Sequence, residues 1–102
     1  MQDAPATPYV LGQFEPLIGQ VFTIGDGTGT LEATLVEATS LREAQGAGLR
    51  SRQFSLVWRG PPGATLPQRI YTVSHPSLGA MELFLVTIGP DAVGMRYEAV
   101  FT

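Results

Sequence analysis

The sequence predicts an all-β domain, a small six-stranded antiparallel barrel or sandwich with one short helical turn near its N-terminus. Two observations predict the strands. Short apolar segments alternate with turns that draw on 12 Gly and 8 Pro, and no segment has the extended 3.6-residue periodicity of a long helix. A third observation favours closure. Because no long helix is available to cover an apolar sheet face, the sheet must curl into a barrel or pack against itself.

The N-terminal part is predicted to differ from the rest. Residues 1–12 contain two prolines and no periodicity, which predicts a flexible arm ahead of a single domain at 13–102. In residues 13–19, three apolar side chains have the i, i+3, i+4 spacing of a helix: Phe14, Leu17 and Ile18. We expect this helical turn to cap one end of the barrel.

The predicted strands then follow one another with short connections. Their ranges are 20–24, 30–39, 51–60, 68–75, 80–88 and 95–102. Alternate residues of a strand share a face, so three strands present inward sets: Phe54, Leu56 and Trp58; Tyr71, Val73 and His75; Met95, Tyr97, Ala99 and Phe101. The fifth strand is almost continuously apolar, which is typical of a central or doubly covered strand.

Composition excludes several classes of function. The net charge is -3 and the six basic residues are all arginines, so the positive field that nucleic-acid binding needs is missing. The absence of cysteine excludes thiol nucleophiles, disulfides and cysteine-ligated metals. No apolar run reaches the ~20 residues of a membrane helix, and the N-terminus lacks the regions of a signal peptide. We therefore expect no membrane association and, by default, a cytoplasmic location.

The only histidine lies in the stretch YTVSHPSLGAMELFLV, residues 71–86. His75 shares a face with the apolar residues of its strand, whereas Ser74 points to the opposite face. Ser77 lies across the following turn, but no G-x-S-x-G elbow exposes either serine. We expect a half-buried ring that hydrogen-bonds a turn carbonyl, and no catalytic residue. A minimal hydrolase that uses His75 with Ser77 remains the alternative.

No metal or cofactor site is predicted. One histidine and no cysteine leave carboxylates as the main ligands, and the stretch GDGTG at 25–29 has a single acid where a calcium loop needs several oxygen ligands. The same glycines are followed by a strand, so no helix N-terminus is available to hold a phosphate. We interpret this stretch as a hairpin turn.

Aromatic and branched residues supply the candidate contacts. Five aromatic residues are candidates for a ligand pocket or a partner surface, but the favoured interpretation is that they fill the interior, as large inward residues do in a small barrel: Trp58, Tyr71, Phe84, Tyr97 and Phe101. Three others are predicted to form an outer apolar patch: Val57, Val86 and Ile88. The residues predicted to contact a partner or ligand are Trp58, Tyr71, His75, Tyr97, Val57, Val86 and Ile88.

Several motifs point to a family. The strings FEPLIGQVFTI, FSLVWRGP, LPQRIYTVSHPSLGAMELFLVTIGP and GMRYEAVF resemble a family of small bacterial proteins catalogued as a domain of unknown function, number 6916. The resemblance runs from Phe14 to Phe101, and its most specific segment contains the tyrosine, the His-Pro pair and the glycine of 71–86. This chain has Val86-Thr87 where the family often has Val-Pro. Members lie near genes for phage-tail-collar-like proteins, so the resemblance implies a structural or assembly role and supplies no catalytic residue.

These observations predict a non-catalytic structural or protein-interaction module, and the resemblance implies an accessory role in a phage-tail-like or surface assembly. We expect a protein partner or self-association. A small barrel that binds an apolar molecule between Trp58, Tyr71 and Tyr97 is the alternative function.

Overall fold

Six antiparallel strands close into a barrel in the computed structural model, which describes residues 9–41 and 53–101. The strands are β1 (Val21–Gly25), β2 (Thr30–Ser40), β3 (Phe54–Gly60), β4 (Arg69–His75), β5 (Gly79–Pro90) and β6 (Met95–Phe101). The predicted fold class is confirmed, and the barrel is closed. None of the helices in the described residues is long and apolar enough to cross a membrane.

The strand order around the barrel is β1-β2-β3-β6-β5-β4, with β4 pairing back to β1. Four connections join neighbouring strands: β1 to β2, β2 to β3, β4 to β5 and β5 to β6. The connection from β3 to β4, residues 61–68, joins strands that are not neighbours. It must therefore cross one end of the barrel.

Inward side chains hold the 61–68 loop against this end. The hydroxyl of Tyr71 donates to the Pro67 carbonyl at 2.5 Å, and the hydroxyl of Tyr97 donates to the Ala64 carbonyl. The Thr87 hydroxyl donates to the Leu66 carbonyl at 2.9 Å and accepts from the Leu66 amide at 3.1 Å. Buried tyrosine and threonine hydroxyls thus find partners in loop backbone that would otherwise be unpaired. Burial raises the pKa of Tyr97.

The N-terminal residues close the opposite end. Two short 3₁₀ turns, Leu11–Gln13 and Glu15–Leu17, form the helical segment expected near the N-terminus and pack the ring of Phe14 against the stacked rings of Phe54 and Phe101, 5.7 Å from each. Tyr9 also stacks edge-on against Phe14. Residues 9–12, assigned to the arm by the sequence, thus pack on the barrel, whereas residues 1–8 of that arm lie outside the described residues.

Alternate residues of the strands fill the interior, as their periodicity predicts. The buried cluster comprises Phe14, Phe22, Ile24, Ala33, Leu35, Phe54, Leu56, Trp58, Tyr71, Val73, Met81, Leu83, Leu85, Tyr97, Ala99 and Phe101. Two glycines allow the close packing of β3 on β6. A Cβ at Gly60 would lie 2.9 Å from the Tyr97 ring, and a Cβ at Gly94 would lie 2.1 Å from the Gly60 carbonyl oxygen.

Candidate functional site

The aromatic residues predicted as ligand contacts are mostly part of the core. Trp58 and Tyr97 are fully buried, and Tyr71 is almost so. The ring of Phe22 lies edge-on 5.5 Å from that of Trp58, whose indole Nε1 has no hydrogen-bond partner among the described residues. Two clefts are described below: neither is lined by Trp58 or Tyr97, and Tyr71 borders one of them. The interior is therefore occupied by side chains at the place where the alternative function needs a pocket.

His75 is buried at the end of β4 and both of its ring nitrogens are engaged. Nδ1 accepts a hydrogen bond from the Ser77 amide at 3.0 Å, which leaves Nε2 to donate to Oε1 of Gln20 at 2.8 Å. The Phe22 ring packs 4.7 Å from the imidazole. Ser77 contributes its backbone amide to this arrangement. His75 thus joins the 76–78 turn to the residue that precedes β1. The ring is buried rather than half-buried, and its contact with the turn is the Ser77 amide rather than the expected carbonyl.

The predicted outer patch of three residues does not form as such. Val57 does point outward from β3, but it is only 4% exposed and cannot contribute to an open surface. Val86 is half-buried, and Ile88 lies beside the bulge between Thr87 and Gly89 with 37% of its side chain exposed. Only the β5 part of the predicted patch therefore reaches solvent.

A different set of apolar side chains forms an exposed row across three neighbouring strands. Ile70 on β4 pairs directly with Phe84 on β5. The β5–β6 pairing ends at Val86 and Glu98, and Val100 is the next outward residue of β6 beyond Glu98, as Phe84 is the outward residue of β5 before Val86. These three side chains are 60%, 53% and 55% exposed. We call Ile70, Phe84 and Val100 the outer row.

Sequence reasoning placed Phe84 in the interior because β5 is apolar on both faces. A signal for the correct orientation was available. Glu82 is the one charged residue of this strand, and a charged side chain that points to solvent puts Phe84 and Val86 on the same outer face. The structure agrees, since Met81, Leu83 and Leu85 are the buried residues of β5.

Carboxylates flank the outer row. Glu82 precedes Phe84 on the outer face of β5 and accepts a hydrogen bond from Thr72, and Glu98 precedes Val100 on β6. Neither forms an ion pair with another described residue. Arg59 is paired with Asp91, whereas Arg96 donates to the neutral Gly89 carbonyl and keeps its positive charge two residues before Glu98. We call Glu82 and Glu98, the two carboxylates that flank the row, its negative rim.

The strongest ion pair of the described residues stabilises the β5–β6 turn. Nε and Nη2 of Arg59 lie 2.8 and 2.5 Å from Oδ2 of Asp91, while Oδ1 accepts from the amides of Val93 and Gly94. The Arg59 hydrogen bonds, together with these amides, hold the pKa of Asp91 well below its usual range. Both oxygens of the Asp91 carboxylate are therefore engaged in contacts that stabilise the turn.

A cleft of about 200 Å³ opens at the barrel end crossed by the 61–68 loop. Its lining residues come from the β1–β2 hairpin and from the loop side, and they include Ile24, Asp26, Leu31, Leu66 and Tyr71. A second, more open groove of about 330 Å³ runs past His75 between β1 and β4. No three potential metal-ligating side chains come together anywhere in 9–41 or 53–101.

Comparison with known protein families gives one match. The model of a domain of unknown function, DUF6916, matches residues 9–101. The chain belongs to this family. The DUF6916 match covers all six strands and both 3₁₀ turns, so the resemblance carried by the sequence motifs is confirmed. No curated protein and no solved structure matches the chain significantly.

Proposed function

We propose that this DUF6916 domain is a non-catalytic protein-interaction module whose partner docks on the outer row. The observation that carries the proposal is that Ile70, Phe84 and Val100 are each more than half exposed on three adjacent strands, with Ile70 paired directly to Phe84. Isolated apolar side chains are common on protein surfaces, but contiguous ones mark contact sites more often.

The closed barrel restricts how a partner can bind. Each of the six described strands pairs with a neighbour on both sides along at least part of its length, so none of them is an open edge strand. We infer that recognition uses side chains on the barrel surface. The outer row supplies one aromatic and two branched aliphatic side chains for this purpose.

The negative rim favours a partner of complementary charge. Glu82 and Glu98 flank the row, and the whole chain has a net charge of -3. A second copy docked on the same row would bring these carboxylates together, and like charges across an interface oppose association. We therefore infer a different protein, with an apolar contact surface bordered by lysine or arginine.

The geometry around His75 supports a non-catalytic role. Both ring nitrogens are hydrogen-bonded, and the contact with Ser77 is through the backbone amide. A histidine that activates a serine needs a free nitrogen within hydrogen-bond distance of the hydroxyl. The alternative hydrolase would require this arrangement to open.

The biological setting remains the one that the family resemblance implies. Genes for phage-tail-collar-like proteins near family members point to an accessory role in a phage-tail-like or surface assembly. A partner encoded beside this gene, with the surface chemistry described above, fits that role.

Binding experiments with matched variants test the proposal. Proteins captured from the native host by the wild type are identified, purified and measured by calorimetry against wild type, Phe84→Ser and Val93→Ser. Val93 is the control because its side chain is 64% exposed but lies in the β5–β6 turn, away from the row. Burial of a phenylalanine contributes about 1.5–3 kcal/mol, so Phe84→Ser should weaken binding roughly tenfold or more, and Val93→Ser should not.

The rim is tested with the same partner. Glu82→Gln and Glu98→Gln should weaken the salt dependence of binding, because removal of a rim charge acts mainly on the rate of association.

Equal affinity of the wild type and Phe84→Ser for the partner contradicts the proposal, as does the absence of any host partner. Dimerisation that is lost in Phe84→Ser, detected by sedimentation velocity, would show that a second copy occupies the row instead.

A second candidate function, binding of an apolar small molecule, has support from one predicted contact. Tyr71 borders the 200 Å³ cleft, which also has Ile24, Leu31 and Leu66 in its wall. Trp58 lies in the filled interior, so a ligand that reached the predicted site would have to displace core side chains. Titration with a lipid panel under Trp58 fluorescence tests this function, and unchanged emission contradicts binding at that site.

A further inference from the structure

The cleft at the loop-covered end of the barrel has walls of two different kinds. Ile24, Leu31 and Leu66 provide apolar surface beside the ring of Tyr71, and the β1–β2 turn provides Asp26. Its volume, about 200 Å³, is below the ~300–1,000 Å³ of pockets for drug-sized ligands. The cleft therefore suits a small group, comparable to one side chain.

Asp26 is held rigidly by one of its carboxylate oxygens. Oδ1 accepts from the Thr28 amide and hydroxyl, both at 2.8 Å, and from the Gly29 amide at 3.1 Å. These bonds lower the pKa of Asp26, so the carboxylate is ionised at neutral pH. Oδ2 has no hydrogen bond within the described residues. The cleft wall thus contains an ionised carboxylate that is fixed by Oδ1 and whose Oδ2 makes no hydrogen bond with a described residue.

The protein's own Arg69 shows which chemistry this place attracts. Nη2 of Arg69 lies 4.0 Å from Asp26 Oδ2, which is beyond hydrogen-bond distance, and the guanidinium carbon lies 5.7 Å from the centroid of the Tyr71 ring. The second distance is within the range of a cation–π interaction. The Arg69 side chain is 53% exposed, and such exposed ion pairs are weak. Another cation can therefore compete for the same two groups.

We propose that this cleft binds a cationic group carried on a short apolar stem, an alkylammonium or an alkylguanidinium. The cation lies between Asp26 Oδ2 and the ring of Tyr71, and the stem packs against Leu31 and Leu66. The source is either a free amine or the lysine or arginine side chain of a partner protein. This site uses none of the residues of the outer row and does not depend on the proposed function.

Chemical-shift titrations of the ¹⁵N-labelled full chain test the proposal with butylammonium and butylguanidinium as probes. Both should shift the amides of residues 25–31 and of Leu66 in a saturable way. Butanol, which has the same stem without the charge, should not. Asp26→Asn keeps a side-chain oxygen that can accept the hydrogen bonds from Thr28 and Gly29, but it removes the negative charge. The spectrum of the free variant shows whether it folds. We expect this variant to bind about tenfold more weakly or not at all, since a charged hydrogen bond is lost.

Two further variants distinguish the local site from net charge. Glu15→Gln removes one negative charge at the opposite end of the barrel, where Glu15 is exposed, and should leave binding unchanged. Arg69→Gln removes the internal competitor and should tighten binding. Butylammonium shifts that persist in Asp26→Asn, or equal shifts from butanol, would overturn the proposal, as would no saturable shift from either cation.

The two sources of the cation are separated by a capped amino acid. N-acetyl-arginine methylamide carries the same guanidinium on a peptide backbone. Binding comparable to that of butylguanidinium indicates that a partner's side chain fits the cleft. Loss of binding with the capped residue indicates a free amine as the ligand.

Discussion

His75 is expected to contribute to stability through three sets of contacts: two hydrogen bonds and the packed ring of Phe22. We predict that His75→Ala lowers the free energy of unfolding by about 2–4 kcal/mol, the sum of lost packing and lost hydrogen bonds. Ser77→Ala should be nearly neutral because the serine contributes its amide to the contact. Urea unfolding of the two variants measures both effects. A stable His75→Ala protein would contradict the structural role and revive the hydrolase alternative.

Gly94 is required by the approach of two backbones. Because its Cβ would lie 2.1 Å from the Gly60 carbonyl oxygen, Gly94→Ala must displace β3 or the β5–β6 turn. We expect a loss of about 3 kcal/mol in unfolding free energy. Gly12→Ala is the matched control, since no atom lies within 4 Å of its added Cβ. Similar stabilities of the two variants in thermal or urea unfolding would show that the close approach is not needed.

At the scale of single elements, the 61–68 loop depends on Thr87. Its hydroxyl satisfies both the amide and the carbonyl of Leu66, so Thr87→Val leaves two backbone groups without their partner. We predict a loss of about 1–3 kcal/mol and faster hydrogen exchange of the Leu66 amide. Thr23→Val on β1 is the control, because the hydroxyl of Thr23 makes no hydrogen bond with another described residue. Unchanged exchange at Leu66 would mean that other contacts hold the loop.

The β5–β6 turn makes the fold sensitive to acid. The pKa of Asp91 is well below its ordinary value of 3.8 in the folded state, first because of the Arg59 hydrogen bonds. The Asp91 carboxylate therefore takes up a proton more readily in the unfolded chain than in the folded one. Its contribution to the free energy of unfolding is present above about pH 4 and is lost as the pH falls further. The lowered pKa of Asp26 acts in the same direction.

Asp91→Asn tests this pH dependence. The variant should be less stable than wild type at pH 7, and the difference should shrink as the pH falls below 4. Thermal unfolding between pH 7 and pH 2 measures both curves. Parallel curves for the two proteins would show that Asp91 is not the group responsible.

For the whole molecule, the fold class could be predicted because alternation and turn residues are local signals. Trp58 and Tyr97 face inward as their strand patterns indicate. The strand order could not be predicted in the same way, because the pairing of β3 with β6 depends on a loop that crosses the barrel end. No local pattern in residues 61–68 specifies this crossing.

The exposed surface was harder to predict than the interior. Val57 alternates outward as expected but is buried in the structure, so strand periodicity alone does not give exposure. Phe84 was placed in the interior because both faces of β5 are apolar, so the alternation of apolar residues does not show which face points inward. The cleft beside Asp26 brings together a hairpin turn and a loop that are distant in sequence, and neither segment signals it alone.

Photo-crosslinking in the native host tests the central claim most directly, that the outer row is the docking surface. p-Benzoylphenylalanine is introduced at Phe84, at Val100 or, as a control, at Val93. We predict that positions 84 and 100 both crosslink to one and the same host protein and that position 93 does not. Adducts at position 93 alone, or none at 84 and 100, would contradict the account.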